Sequence, residues 1–153
     1  MIRMTVIALI VAAVPAAAET IDAAGTGIGV AENKIFEIAE GHMVMHTVGI
    51  YDGFDSDGPF KDATGECFGE AEMQAGDVSG SGACVFNTED GETALVDWEM
   101  QAFGEGGATT GVWTVTGGTG RWATATGGGE FNNLTDPEAG RFENTISGEV
   151  TFE

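Results

Sequence analysis

Two histidines, His42 and His46, stand four apart in "GHMVMH", and what they can do depends on the backbone that carries them. On a helix the two imidazoles would share one face and could hold zinc. On a strand, four residues span about 13 Å, too far for a single ion. No glutamate lies between them, so the zinc-protease pattern is missing. As separate residues they read as surface or core-edge side chains. His46 becomes the best general acid–base candidate if it faces an interior, because a free imidazole titrates at about pH 6.5. A little further on, "YDGFDSDG" gathers Asp52, Asp55 and Asp57 around glycine, an oxygen-rich turn of the kind that binds calcium. No glutamate completes the EF-hand frame, and an ordinary acidic turn is the simpler reading. Trp98, Trp113, Trp122, Phe86 and Phe131 could line an apolar ligand pocket or simply fill a core. Arg121 could anchor a carboxylate or pair with a neighbouring acid.

The two cysteines, Cys67 and Cys84, are best read together with the N-terminus. "MIRMTVIALIVAAVPAAAET" has a basic start at Arg3, an apolar run from Thr5 to Val14, a break at Pro15 and the small residues Ala16, Ala17 and Ala18. This is the layout of a secretory signal peptide over 1–18, with cleavage expected after Ala18. The apolar run is far shorter than the roughly 20 residues that span a bilayer. The expected mature chain, 19–153, is one domain, periplasmic or secreted, with no membrane insertion after cleavage. In an oxidising compartment an even cysteine count favours a disulfide. A catalytic thiol would want a histidine partner and no nearby cysteine. A two-thiolate metal site would need further ligands that no CxxC spacing offers.

The chain carries 25 acids against five Lys and Arg, a formal charge of −20. Nucleic acids and anionic membranes repel such a chain, so neither is an expected partner. The acids are spread along the sequence rather than gathered in a tail, which reads as a solvated acidic surface. No cofactor motif is present, and no cofactor is expected.

The elements that must position these residues follow period two. "TALVDWEMQ" puts Ala94, Val96, Trp98 and Met100 on one face, and "ENTISGEVTFE" does the same with Ile146, Gly148, Val150 and Phe152. Strands are expected near 34–39, 42–51, 65–73, 79–87, 92–103, 109–116, 121–131 and 140–153, with turn signals such as "TEDGE", "GGTG" and "TDPEAG" between them. "AENKIFEIAEG" fits a strand or one or two helical turns. Short connections imply antiparallel neighbours, and about eight short strands imply a barrel, with a sandwich as the alternative.

The glycine-dense stretch "VTGGTGRWATATGGGEF" tests that scheme. A phosphate loop would need a helix after the glycines and a lysine on the phosphate, and "RWATATGGGEF" is a poor helix former. A linker would not continue the Trp113–Val115 alternation. A hairpin remains, with glycine and alanine letting the returning strand bend as closure of a small barrel demands. The run "GVWTVTGGTGRWATATGGGEF", followed by "FENTISGEVTFE", resembles the allene oxide cyclase and dirigent group of β-barrels. The paired cysteines in "GECFGEAEMQAGDVSGSGACVFNTEDGE" resemble small exported bacterial members of that superfamily. The resemblance implies an all-β, eight-stranded antiparallel β-barrel whose lumen holds a small hydrophobic ligand, often in a homo-oligomer. An isomerase or cyclase acting on an unsaturated lipid or polyketide-type substrate is the alternative it carries. An acidic structural or calcium-binding role is a third reading, drawn from the charge.

Overall fold

The computed structural model describes residues 17–103 and 108–153. The apolar core of the expected signal peptide lies outside the described residues. Nine strands run β1 Glu19–Asp22, β2 Gly25–Ala39, β3 His42–Asp55, β4 Thr64–Gln74, β5 Asp77–Asn87, β6 Thr93–Phe103, β7 Thr109–Gly118, β8 Thr126–Asp136 and β9 Arg141–Phe152. Strands β2 to β9 pair antiparallel in sequence order, and β9 returns to β2 to close the cylinder. β1 lies against β9 on the same side as β2 and in the same register. Asp22 faces Glu149, Ala23 N–H donates to Gly148 O, and Gly25 faces Ile146. It is therefore the lower end of the closing strand, interrupted only at Ala23 and Ala24. Closure leaves no long open sheet edge in the lower barrel, which a lone antiparallel sheet of this size would expose.

The expected eight-stranded antiparallel barrel is the observed fold, and "AENKIFEIAEG" lies wholly in the β2–β3 hairpin. Two local expectations are corrected. First, β2 begins at Gly25 rather than near 34, because the inward positions of its first half are glycines and give no bulky alternation. The rings of Tyr51, Phe54 and Phe142 occupy the space those glycines leave. Second, the return strand starts at Thr126 rather than 121, because residues Gly120–Ala123 form a single 3-10 turn. Gly120 has φ +54°, and a Cβ there would collide with the Glu92 carboxylate. That same carboxylate accepts the Arg121 N–H at 3.0 Å, so glycine and acid together fix the turn.

This turn closes the barrel floor. Trp122 is 0% exposed and packs on Phe152 (5.0 Å between ring centroids) and Phe60 (5.4 Å). Phe60, on the loop between β3 and β4, in turn meets Phe54, Phe86 and Trp113. The contacts of Phe60 with Phe86 and Trp113, and of Trp122 with Phe152, are edge-to-face and add to the apolar burial of each ring. Higher up, rings lie over glycines of neighbouring strands. A Cβ on Gly82 would come within 2.5 Å of Trp98, and one on Gly111 within 2.7 Å of Phe131. An eight-stranded barrel is too narrow for a large side chain at every inward position, so each flat ring takes the room of a missing one. On the outer wall the alternation is incomplete. Ile50, Phe68, Val85 and Leu95, on the contiguous strands β3 to β6, are 42%, 47%, 37% and 40% exposed.

Candidate functional site: the barrel lumen

Above the floor the barrel encloses a cavity of about 160 Å³. Its lining includes Tyr51, Phe86, Trp98, Trp113, Phe131, Phe142, Ile146 and the Cys67–Cys84 pair. Asn33, Thr47, Thr109, Asn133 and Thr135 form a polar collar at the upper end. Those collar residues are half-buried or exposed, whereas the floor residues are buried, so among the described residues the cavity opens towards the top. Among the described residues no lining side chain carries a formal charge at neutral pH, in a chain whose net charge is −20. Most acids of the same strands stand on outward positions. Strand alternation sorts them there: Cys67, Gly69 and Ala71 face in, while Glu66, Glu70 and Glu72 face out.

One polar pair stands among the aromatic rings. Asn144 Nδ2 donates to Tyr51 Oη at 2.7 Å, and both residues are buried. The Tyr51 ring is stacked on Phe54 at 5.1 Å and held edge-on by Phe142 at 4.7 Å and Phe86 at 5.2 Å. Asn144 Oδ1 and Trp98 Nε1 are buried without a partner, whereas Trp113 Nε1 donates to Ser147 O at 3.1 Å. Burial pushes the Tyr51 hydroxyl up to about 12, against a smaller opposite effect of the Asn144 hydrogen bond. Tyr51 is the chain's single tyrosine, so its titration can be followed directly by phenolate absorbance. The folded state holds this proton more tightly than the unfolded chain. Its contribution to stability is thus complete below the unfolded value of about 10 and lost as pH rises towards 12. The expected result is a phenolate signal that appears only near pH 12 in folded protein, with stability falling over that window. Ionisation at pH 10 with the fold intact would contradict the buried placement.

Of the aromatic residues expected to line a pocket, Trp98, Trp113, Phe86 and Phe131 do so. Trp122 does not: the 3-10 turn carries it beneath the cavity, where it forms the floor. Cys67 and Cys84 are joined by a disulfide across directly opposed positions of β4 and β5, on the inner wall. His46 is exposed, facing away from the lumen, because Met45 and Thr47 take the inward positions beside it. That placement removes it as an interior acid–base group. His42 Nε2 lies 2.6 Å from Glu72 Oε1 on the neighbouring strand, at the rim. Asp52 is engaged by Arg141 Nη2 at 2.8 Å, and the described residues hold no group of three or more His, Cys, Asp or Glu placed for a metal ion. Asp52, Asp55 and Asp57 are therefore not gathered as one ligand set. Arg121 pairs with Asp90 Oδ2 at 3.7 Å and lies over the Phe152 ring at 4.1 Å, outside the lumen.

Tyr51 and Asn144 were within reach of the sequence. The inward series Ile146, Gly148, Val150 and Phe152, taken two residues further back, lands on Asn144 and then Phe142. An amide inside an otherwise apolar series is the signal.

No protein-family model matches the chain, and no curated protein is significantly similar to it. Among the described residues, no helix is long and apolar enough to cross a membrane.

Proposed function

We propose that this chain is an exported binding protein whose barrel lumen holds a small, largely apolar molecule. The observation that carries the reading is the uncharged, ring-lined cavity of about 160 Å³, closed below by Trp122 and open above. A dry apolar cavity of about 150 Å³ is enough to take up a benzene-sized ligand. Apolar linings with a few placed polar groups are the usual make-up of small-molecule sites. The expected signal peptide and the disulfide support export.

The test is thermal unfolding of the purified chain against neutral terpenoids, phenolics, indoles and lipids. A ligand present at 100 times its Kd stabilises by about 2.7 kcal/mol, an easily read rise in midpoint. Thr47→Trp, which fills the upper lumen, should abolish the rise while leaving the β-sheet spectrum unchanged. No midpoint shift with any compound would end this reading.

An isomerase or cyclase reaction is the second reading, and the Tyr51–Asn144 pair favours it, as a buried polar pair able to guide a reacting group. Binding without reaction is preferred because, among the described residues, Tyr51 is the only ionisable side chain lining the lumen, and its proton is held to about pH 12. Stereochemical bias in the products from an unsaturated epoxide would establish the reaction; a racemic product at every protein concentration would dismiss it.

A further inference from the structure

Resting on the lumen-binding reading, we infer that the ligand is a neutral ring compound bearing one N–H or O–H, which it donates to Asn144 Oδ1. Asn144 is 8% exposed, and its Oδ1 has no partner. A buried acceptor left unpaired is costly, and the cost is recovered when a bound molecule supplies the donor. The side chain is held beside Tyr51 by the hydrogen bond that its Nδ2 donates to the hydroxyl at 2.7 Å. Tyr51 is in turn clamped between Phe54, Phe86 and Phe142. The acceptor is thus preorganised among rings whose faces favour a flat partner.

Charge decides the second half. Among the described residues the lining holds no Lys, Arg or His for an anion and no Asp or Glu for a cation, inside a chain of net charge −20. An ionised ligand would lose its hydration and find no counter-ion, which excludes carboxylates most strongly. Trp98 Nε1, the other unpartnered buried polar atom of the lining, is a donor and fits a ligand that also presents an acceptor. A site built to hydrogen-bond a ligand N–H or O–H rejects the analogue lacking it more sharply than it rejects a change of size.

The experiment is calorimetric titration of the full exported chain with three probes of one shape: indole, indene and indole-3-carboxylate. Indole has the donor, indene lacks it, and the third adds a charge. Indole is expected to bind about tenfold more tightly than indene, since one hydrogen bond is worth about a factor of ten. Indole-3-carboxylate is expected to bind at least tenfold more weakly than indole. In Asn144→Leu the advantage of indole over indene should shrink to within twofold, with indene affinity retained. Should that variant fold poorly because it strands the Tyr51 hydroxyl, the Tyr51→Phe, Asn144→Leu double variant removes both polar atoms together and must give the same loss of preference. Equal binding of indene and indole, or undiminished preference in these variants, overturns the inference and leaves lumen binding standing. Binding of indole-3-carboxylate as tight as that of indole overturns the neutral-ligand claim. Silence from all three probes, together with no hit in the unfolding screen, overturns the binding reading itself.

Discussion

Trp122→Ala is expected to destabilise the barrel by about 3–5 kcal/mol, the usual cost of truncating a fully buried aromatic residue. Trp122 is 0% exposed and touches both Phe60 and Phe152, so its removal opens a cavity under the lumen that three elements would have to collapse to fill. They are poorly placed to do so. The turn that carries it is fixed by the Glu92 carboxylate, and Phe152 lies on a strand paired on both sides. A domain of this size has a total stability of about 5–15 kcal/mol, so the variant should be marginal. Urea unfolding followed by circular dichroism reads the loss. Trp98→Ala is the contrast: that ring is half-buried on the lumen wall, and its removal should cost less while enlarging the cavity. A Trp122→Ala loss below about 1 kcal/mol would mean that the floor is not packed as described.

Reduction of the Cys67–Cys84 disulfide is expected to lower stability by about 3 kcal/mol. The bond closes a loop of 17 residues, and the lost constraint on the unfolded chain is of that order. The two residues are already opposed in the β4–β5 ladder, so the folded barrel should persist when the bond opens. The measurement is urea unfolding with and without reductant, with thiol counting to verify reduction. The Cys67→Ala, Cys84→Ala double variant should show the lower midpoint in both conditions and no response to reductant. Both sulfurs line the lumen wall, so reduction also alters the cavity surface, and ligand-induced stabilisation should be measured in the same samples.

The acidic outer surface and the uncharged lumen are two sides of one alternation. On β4 the acids Glu66, Glu70 and Glu72 point out and Cys67, Gly69 and Ala71 point in. Side chains on a strand have a strict period of two, so a sequence that alternates acid with small or apolar residues writes its own inside and outside. That is why antiparallel strands and a barrel were legible residue by residue, while the two cysteines read as a pair from their even count in an exported chain. The same rule puts Trp98 on the apolar face of its strand and Trp113 in step with Val115, and both face the lumen or its core in the folded barrel. It failed where the inward residues are glycines, as in the first half of β2. It failed again at Trp122, where a strand reading carried on through a turn.

What the sequence determined by itself is therefore the local and periodic part: strand after strand, each with a polar and an apolar face, and turns where Gly, Asp and Pro cluster. Tertiary structure alone decided which glycine each ring would cover, that Trp122 would seal the floor, and that Asn144 would meet Tyr51 from 93 residues away in the chain. The physical reason is that faces are set by neighbours in sequence. Contacts across a lumen are set by barrel closure, which brings β9 back to β2 and fixes which inward side chains must share one enclosed space.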